Sequence, residues 1–343
     1  MKRNHGRRPT VRDVARTAGV SVATVSRALS RPQDVKKETL ERVLSVVKDT
    51  GYRSNQMAVQ FRTGTSRSIM VLVSDITNAF YAEFFKGIEQ AARSKGYVLL
   101  IGDTSEEAAS ERVYFDMLTS NKADGLLWNV DGIPAGFFQC EDRWPLLDIP
   151  LVACNGIDEM DVPTVRIDND VGGRMAAEHL LELGHRRFAQ ICGPPHHDSI
   201  KRRFDGFNRA LKRAGIEIPE ELTIPIDLGI EQGRLVADRL LAVSDRPTAV
   251  FVHNDATAIG MLHTFLKRGL SVPGDFSIVG YDDMPYASAM TPELTTVRLP
   301  RRRWGAAACE MMISVIQGAE LERREVTITP ELKVRDSSGP PKA

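Results

Sequence analysis

Consecutive positions from Ser21 to Arg27 combine hydroxyl, small apolar and basic side chains, in the order Ser-Val-Ala-Thr-Val-Ser-Arg. The arginine at position 27 can offer two donors to N7 and O6 of a guanine, whereas the valine and alanine before it can make only apolar contact, for instance with a thymine methyl. Ser21 can cap a helix whose free amides and positive dipole end suit a phosphate oxygen. The stretch therefore favours contact with a DNA major groove, and the side chains expected on the facing turns are Val22, Ala23, Thr24, Ser26 and Arg27.

Two short helices around one tight turn must position this stretch. The small residue Ala15 lets the helices approach, Gly19 permits the turn, and Val25 packs back against the first helix. This spacing predicts a helix-turn-helix over residues 10–30. The alternative is a helical hairpin in some larger helical domain, because alanine and glycine also occur at such spacings by chance.

Charge is divided unevenly along the chain. The 45 basic and 45 acidic residues cancel overall, yet residues 1–63 contain 14 Lys and Arg against 5 Asp and Glu. The first 63 residues thus carry a net charge of +9, which leaves −9 for the remainder. A basic head joined to an acidic body is typical of a nucleic-acid binder that carries a separate domain.

A third helix is predicted from Lys37 to Thr50, with Leu40, Val43, Leu44 and Val47 on one face and Gly51 as its stop. Three helices are enough to bury one small core. Residues 54–62 can form about two further turns ahead of a flexible linker at 63–66. So short a helix is marginal by itself in water and forms only when something holds it.

From Ile69 onward, apolar strands alternate with amphipathic helices, which predicts doubly wound parallel sheets. About ten strands are more than one sheet usually contains, so we expect two lobes. The carboxyl ends of their strands should face a common cleft, where ligands of open α/β sheets bind. The predicted strands are 69–74, 97–102, 125–128, 151–155, 188–192, 249–253 and 277–281. The predicted helices are 81–94, 108–119, 170–183, 201–214, 231–243 and 256–267.

Length and composition limit the class of protein. The 343 residues suffice for two or three domains with substantial cores. No run approaches the roughly 20 apolar residues of a membrane helix, and no signal-like segment follows the first eight residues. We therefore expect a cytoplasmic protein with no membrane partner. The scattered cysteines favour buried reduced thiols over a disulfide or a metal site; they are Cys140, Cys154, Cys192 and Cys309.

Two other classes of protein fit the sequence less well. An enzyme would need a catalytic constellation, yet the sequence has no G-x-S-x-G, Walker loop, H-E-x-x-H, or G-x-G-x-x-G after a strand. His253 and His263 are spaced unlike ligands on one helix face, so neither a metal nor a cofactor is expected. A solute-binding receptor for sugars or nucleosides would share the predicted body, but it would have no use for residues 1–63.

The chain resembles the lactose/galactose repressor (LacI/GalR) family from Thr10 to Arg335. The resemblance implies an allosteric transcription regulator, usually a repressor, with an N-terminal all-α helix-turn-helix domain and an α/β, two-lobed, type I periplasmic-binding-protein-like effector domain. Residues 88–92 and 100–103 look most like the cytidine-repressor branch. The motifs that carry the resemblance lie at 11–27, 78–83, 183–187, 203–207, 247–255 and 272–283.

The resemblance implies a set of DNA contacts. Val22, Ala23 and Arg27 fall where family members read operator bases. The residues implied to contact phosphates, which position the protein and carry little sequence information, are Thr10, Ser21, Thr24, Tyr52 and Asn55. The alternative for Arg27 is a solvated charge with no contact.

The hinge departs from the family pattern. Family members commonly have Ala-Arg-x-Leu, whereas this chain has Ala58-Val59-Gln60-Phe61. We expect Phe61 to wedge into a central minor-groove step, with Ala58 beside it in the groove, because aromatic and aliphatic side chains both unstack base steps. The alternative is that Phe61 packs against the body domain.

The resemblance also places an effector pocket in the cleft. The residues implied are Phe80, Tyr81, Asn155, His197, Ser199, Arg203, Leu228, Asn254 and Asp282. Among them, Arg203, Asn254 and Asp282 combine donors and acceptors that suit vicinal hydroxyls, and the aromatic pair can cover a sugar or base face. Gly156 and Leu228 stand where purine-binding members have aromatic residues, which disfavours a purine. The expected effector is a sugar, a sugar acid or a nucleoside, and the alternative for each polar position is a structural role.

These interpretations give a domain plan and an assembly. The plan is a basic arm at 1–8, a helix-turn-helix domain at 9–53, a hinge helix and linker at 54–66, an effector-binding and dimerisation domain at 67–335, and a flexible tail at 336–343. Lobe 1 is expected at about 67–167 and 300–325, and lobe 2 at about 168–299 and 326–335. The tail has no heptad pattern, which favours a homodimer on a pseudo-palindromic operator over a tetramer.

Overall fold

A computed structural model of the chain describes residues 9–52, 64–105, 108–130, 149–155, 161–194 and 197–342. The chain divides into two compact units, a head at Met1–Ser66 and a body at Arg67–Ala343. Several predicted features lie outside the described residues. They are the basic arm at 1–8, the hinge at 54–63 with Asn55, Ala58 and Phe61, and the positions Cys140 and Gly156.

The head has the predicted pair of helices and a third helix. They are α1 (Val11–Ala18), α2 (Val22–Ser30) and α3 (Lys37–Thr50). Gly19 ends α1 with φ 65°, in the left-handed region that glycine adopts without a steric penalty. Ala15 and Val25 are buried in a small core that also contains Val43, which confirms the predicted packing of α1 against α2.

The buried face of α3 differs from the predicted face at one position. Val43 is fully buried and Leu40 and Val47 pack against the core, but Leu44 is 45% exposed. Val46 takes its place in the packing. The sequence pattern allowed either residue, and the position of α1 and α2 decides which one is covered.

The body contains two six-stranded sheets. Its described strands are β1 (Ser68–Val73), β2 (Val98–Asp103), β3 (Gly125–Asn129), β4 (Leu151–Ala153), β5 (Thr164–Ile167), β6 (Phe188–Cys192), β7 (Thr223–Pro225), β8 (Ala249–Val252), β9 (Ser277–Asp282), β10 (Thr295–Arg298), β11 (Glu325–Ile328) and β12 (Glu331–Lys333). Lobe 1 has the order β11-β5-β4-β3-β1-β2, and lobe 2 has the order β12-β10-β9-β8-β6-β7. All pairs are parallel except β10 with β12. The prediction of two parallel α/β lobes is confirmed.

Helices cover both sheets. They are α4 (Tyr81–Ser94), α5 (Ala108–Thr119), α6 (Asn169–Glu182), α7 (Asp198–Arg213), α8 (Ile230–Leu241), α9 (Asp255–Lys267) and α10 (Arg301–Ile316). Two close helix pairs, α4 with α10 in lobe 1 and α6 with α7 in lobe 2, have glycines at their contacts. A Cβ on Gly87 would overlap the carbonyl oxygen of Arg302, and a Cβ on Gly173 would overlap that of Arg203. Each close approach therefore depends on a missing side chain.

The structure differs from the prediction at the last crossing of the chain between the lobes and at helix α10. We expected lobe 2 to resume at Val326, but Val326 to Ile328 pair with Val165 to Ile167 in the sheet of lobe 1. The chain therefore returns to lobe 2 only at β12. Helix α10 was absent from the predicted helices, because its apolar residues surround the helix instead of forming one stripe, as expected for a helix buried on several sides.

The predicted flexible tail is wrong for residues 336–342, which dock on lobe 2. Ser337 is fully buried, and its hydroxyl donates to the carbonyl oxygen of Ile278 at 2.7 Å and accepts from the amide of Thr295 at 2.8 Å. Gly339 accepts from the Nε2 of His185 at 2.9 Å. The glycine and prolines break a helix, as predicted, but an extended segment can still satisfy its polar groups against the first residues of β9 and β10.

The described cysteines agree with the prediction. Cys154, Cys192 and Cys309 are free and buried. Burial raises the pKa of the Cys192 thiol to about 11 and that of Cys309 to about 12, so both stay protonated at neutral pH.

Candidate functional site

The exposed face of α2 carries the predicted base-reading residues. Val22 is 41% exposed, and Ala23 and Arg27 are also exposed, while Thr24 and Ser26 are half-buried. The opposite face, with Val25 and Ala28, is buried. The hydroxyl of Ser21 accepts from the amide of Thr24 at 3.1 Å, which confirms the predicted helix cap.

Two residues assigned to phosphate contact also hold the head together. Thr10 and Asp13 form a reciprocal capping box, in which the Thr10 amide donates to the Asp13 carboxylate at 2.9 Å and the Asp13 amide donates to the Thr10 hydroxyl at 3.4 Å. Tyr52 is half-buried and packs against the core of the head. An acidic residue three positions after a threonine is the signal that could have predicted the box.

Much of the positive charge of the head lies in its flanking segments. Of the 14 basic residues in 1–63, eight fall in the described range 9–52, together with all five acidic residues. The other six are in 1–8 and 53–63. Backbone phosphates attract such charge without reading sequence.

The body has a cleft of about 350 Å³ between its lobes. Polar residues stand at or just after the carboxyl ends of strands in both sheets, as the rule for open α/β sheets predicts. Asn129 ends β3, Asn155 follows β4, Asn254 follows β8 and Asp282 ends β9. Eight of the nine predicted effector residues line the cleft; they are Phe80, Tyr81, Asn155, Ser199, Arg203, Leu228, Asn254 and Asp282. His197 does not line it and stands at the N-cap position of α7.

The wall from lobe 1 is aromatic. Phe80 meets Tyr81 edge to face at 5.3 Å between ring centroids and lies 6.3 Å from Trp304. The indole of Trp304 donates to the carbonyl oxygen of Val165 at 2.8 Å, which fixes the ring. The guanidinium of Arg301 lies 5.4 Å from the centroid of Phe80. These contacts present a rigid apolar surface to a ligand.

The wall from lobe 2 holds a buried cation. Arg203 is only 6% exposed and donates to the carbonyl oxygen of His253 and, at 3.1 Å, to the side-chain oxygen of Asn169. Its guanidinium lies 3.4 Å from the ring centroid of Tyr281, whose hydroxyl donates to the same Asn169 oxygen at 3.0 Å. A charge with this many partners is held in one orientation before a ligand arrives.

Two neighbouring carboxyl groups of lobe 2 have raised pKa values. Burial and the neighbouring Asp282 raise the pKa of Asp255 to about 8. Burial raises the pKa of Asp282 to about 6, against the opposing charges of Arg203 and Arg301. Asp255 accepts from the amide of Met284 at 2.7 Å and from the hydroxyl of Thr296 at 2.6 Å.

The backbone at the end of β9 is unusual. Asp282 has φ 112° and Asp283 has φ 51°, both in the left-handed region that is costly for a residue with a side chain. Asp283 is ion-paired with Arg335 at 2.6 Å. This geometry sets the direction of the chain after Asp282, and with it the position of the Asp282 carboxylate at the cleft.

Comparisons with known proteins agree along the whole chain. Residues 10–55 match the family described as bacterial regulatory proteins, lacI family, and residues 177–338 match the periplasmic binding protein-like domain. The HTH-type transcriptional repressor PurR of Photobacterium profundum is 33% identical over 329 residues, which cover 96% of this chain and 98% of that protein. The HTH-type transcriptional repressor CytR of Escherichia coli is 34% identical over 331 residues, 96% of each chain.

The chain belongs to the lacI family of bacterial regulatory proteins. It is a DNA-binding transcriptional repressor under allosteric control, not an enzyme, as the sequence analysis predicted. The fold agrees with a solved structure of the lac repressor dimer bound to operator and the anti-inducer ONPF, with a TM-score of 0.86, 24% identity, and coverage of 97% of this chain and 100% of that one. Because CytR and PurR are about equally similar, the cytidine-repressor branch stays a prediction.

The cleft of this LacI-family chain contains residues that the sequence analysis missed. Asn78, Asn129, His253, Trp304 and Tyr286 all line it. Asn129 ends a strand and His253 directly follows one, so the rule that ligands bind at strand carboxyl ends could have found both. Trp304 belongs to α10, which the helix prediction lacked.

The described part of the chain has neither a cluster of metal-binding side chains nor a membrane-spanning helix. It contains no group of three or more His, Cys, Asp or Glu side chains that could hold a metal ion. None of its helices combines the length and the apolar composition needed to cross a membrane.

Proposed function

We propose that the head reads a pseudo-palindromic operator through the exposed face of α2. Arg27 donates to a guanine, and Val22 and Ala23 make apolar contacts in the major groove. The exposure of these three side chains on one helix, whose other face is buried, supports this assignment. Contacts with the DNA phosphates are assigned to Thr10, Ser21, Thr24, Tyr52 and Asn55, and Ser26 is assigned to the helix turns that face the major groove.

The hinge is assigned to the minor groove. Phe61 is the wedge between central base steps, and Ala58 lies beside it. Phe61→Ala is expected to weaken specific operator binding strongly and to leave effector binding intact. An unchanged operator affinity contradicts the assignment.

We propose that the cleft of the body binds the effector, a small sugar-like molecule or a nucleoside. The observation that carries this assignment is that predicted residues from separate elements of both lobes surround one cleft of about 350 Å³. A ligand held by both lobes binds their closed arrangement best, so its binding shifts the equilibrium between lobe arrangements. His197 lies outside the lining, and its assignment to the effector is withdrawn.

We propose a homodimer in the cytoplasm, where operator DNA is found. Two protomers place two recognition helices on the two half-sites, and the hinges fold together only at the correct spacing. The structural neighbour described as a lac repressor dimer bound to operator supports this assembly. A solute receptor without a regulatory role is disfavoured, because residues 10–55 match the regulatory head.

The decisive experiment measures operator binding by the full chain. Fluorescence anisotropy with a palindromic duplex selected from random DNA should show specific binding with a strongly negative dependence on salt. Arg27→Ala should lose about 1–3 kcal/mol of discrimination at one base pair. Arg27→Lys is the matched control, because it keeps the charge but loses the planar two-donor fork. It should restore the salt dependence fully but the base preference only in part, and binding with no sequence preference at all contradicts the proposal.

A further inference from the structure

Two asparagines of the cleft have a fixed orientation. The side-chain oxygen of Asn78 accepts from the amide of Phe80 at 3.0 Å, and that of Asn254 accepts from the amide of Thr257 at 2.9 Å. Because a backbone N–H can only donate, the side-chain atom it meets must be the amide oxygen in both asparagines, and this fixes the orientation of each side-chain amide. Each asparagine therefore offers its NH₂ group to a ligand.

A chain of hydrogen bonds also fixes the ring proton of His253. The Asn208 amide nitrogen donates to the carbonyl oxygen of Phe204 at 2.9 Å and to the side-chain oxygen of Gln190 at 2.7 Å. The amide nitrogen of Gln190 must then donate to Nε2 of His253, which lies 3.1 Å away. Since Nε2 accepts, the neutral ring carries its proton on Nδ1.

The surroundings keep His253 neutral. Its side chain is fully buried, and burial together with the charge of Arg203 lowers its pKa well below the usual value. Within the described chain, neither Nδ1 of His253 nor Nε of Arg203 has a hydrogen-bond partner. A buried donor without an acceptor costs about 1–3 kcal/mol, and a bound acceptor removes that cost.

Two positive groups, Arg203 in the lining and Arg301 beside Phe80, stand at the described cleft against one lining carboxylate, Asp282. Asn129 and Asn155 bond to each other at 3.2 Å, so in either orientation one NH₂ group and one side-chain oxygen of this pair are not used by their mutual bond. Asp282 is the anionic group among the lining residues, and Arg203 is the cationic one. Arg301 adds a second positive charge beside Phe80, while its own donors bond to Met284 and the carbonyl oxygen of Asp283. A ligand that matches this wall is rich in acceptors and carries one negative charge.

We propose that the effector is a sugar acid, whose carboxylate accepts from the donors of Arg203, His253 and Asn254 and whose hydroxyl groups donate to Asp282. The aromatic wall around Phe80 covers the apolar face of its carbon skeleton. This proposal rests on the proposed function of the cleft as the effector site. It adds the chemical class of the ligand and a role for His253, which is held as a donor by Gln190.

Matched pairs of carbohydrates test the class. Calorimetry with the full chain at neutral pH compares D-glucuronate with D-glucose, D-galacturonate with D-galactose and D-gluconate with D-glucitol, and includes uridine as a nucleoside. We expect at least one acid to bind 10-fold or more tightly than its neutral partner. Neutral partners that bind as tightly as the acids, uridine as the tightest ligand, or no binding by any acid each overturn the proposal.

Variants at Asn254 test the role of the donors. Asn254→Asp keeps an oxygen that caps α9 but replaces the NH₂ donor with a negative charge, so the fold should be retained. We expect it to weaken the acid 10-fold or more beyond its effect on the neutral partner. Asn254→Ser is the control for the added charge, because it caps the helix and loses the NH₂ group without gaining a negative charge, so it should weaken the acid less than Asn254→Asp does. Equal losses for both partners in Asn254→Asp contradict the proposal.

Operator binding distinguishes a failure of the sugar-acid proposal from a failure of the proposed repressor function. If the ligand-free protein binds its operator specifically but responds to no acid, the sugar-acid proposal fails and the repressor assignment stands. If the protein binds no operator, the proposed function fails whatever the calorimetry shows.

Discussion

The wall of the cleft that lobe 1 contributes is aromatic, whereas the wall from lobe 2 carries the ionised groups. In lobe 1, Phe80 contacts both Tyr81 and Trp304. Arg203 and Asp282 face the cleft from lobe 2. Both lobes have a six-stranded, largely parallel sheet covered by helices, so the difference lies in the side chains that line the cleft and not in the fold.

This difference assigns separate roles to the two walls. The aromatic wall contributes apolar area that tolerates many ring shapes, while the charged wall contributes bonds with defined directions. Discrimination between ligands should therefore depend mainly on lobe 2. Lobe 1 should contribute binding affinity, and it can do so only when the cleft closes over the ligand.

The largest expected effect follows from removing the buried cation. Arg203→Met should weaken binding of the effector by about 100-fold or more, because hydrogen bonds to a charged group contribute about 1.5–3 kcal/mol. Calorimetry measures the loss, and Arg203→Lys, which keeps the charge without the fork, is the matched control. Wild-type affinity in Arg203→Met would show that the charged wall is not where ligands are selected.

The two glycine contacts offer a direct comparison of the lobes. Gly173→Ala and Gly87→Ala should each lower the free energy of unfolding by about 1–3 kcal/mol, because the added Cβ overlaps a carbonyl oxygen of the neighbouring helix. Urea denaturation measures both losses. Only Gly173→Ala should also weaken ligand binding strongly, since it displaces the helix turn that carries Arg203. Equal effects on binding would contradict the separation of roles.

A smaller effect is expected from the aromatic wall. Phe80→Ala should weaken ligand binding about 10-fold, because an aromatic contact contributes roughly 0.5–1.5 kcal/mol beyond the buried area. The ratio between an acid and its neutral partner should stay unchanged, as calorimetry with both ligands can show. Phe80→Leu, which keeps apolar bulk, serves as the control. A changed ratio would place discrimination in lobe 1.

The last prediction is a pH dependence of stability in lobe 2. The pKa of Asp255 is about 8 in the fold, against 3.8 as its ordinary value, so the folded protein binds a proton that the unfolded chain releases. The contribution of this proton to the free energy of unfolding is largest below pH 3.8. It declines as pH rises, by at most about 1.4 kcal/mol per pH unit, and is lost above about pH 8. Thermal unfolding between pH 6 and pH 9 measures the decline.

Asp255→Asn mimics the protonated carboxyl and tests this dependence. Its oxygen can accept from Met284 and its NH₂ can donate to the hydroxyl of Thr296. The variant should lose less stability than the wild type between pH 6 and pH 9. Parallel curves for both proteins would mean that Asp255 does not titrate in this range.

Local patterns were enough to predict the head. Ala15, Gly19 and Val25 lie close together in the sequence, so their spacing determines how α1 turns into α2 and packs against it. The alternation of strand and helix likewise predicted most elements of both sheets. The burial of Leu44 was predicted wrongly, because it depends on which part of α3 the neighbouring helices cover.

Long-range contacts were not predictable from such patterns. The pairing of β11 with β5 joins residues about 160 positions apart, and the docking of Ser337 depends on free groups at Ile278 and Thr295. The proton on Nδ1 of His253 depends on the carbonyl oxygen of Phe204, which lies three hydrogen bonds away along the chain through Gln190 and Asn208. The sequence placed polar residues at strand ends, but it could not show which of their atoms the fold had already used.

The central claim is that occupancy of the cleft and occupancy of the operator are coupled. Calorimetry of the effector found in the matched pairs, with and without saturating operator duplex, tests it most directly. We expect ligand Kd values that differ by about 5- to 150-fold, and an operator Kd that changes by the same factor when ligand is added. The same ligand Kd with and without operator would contradict it.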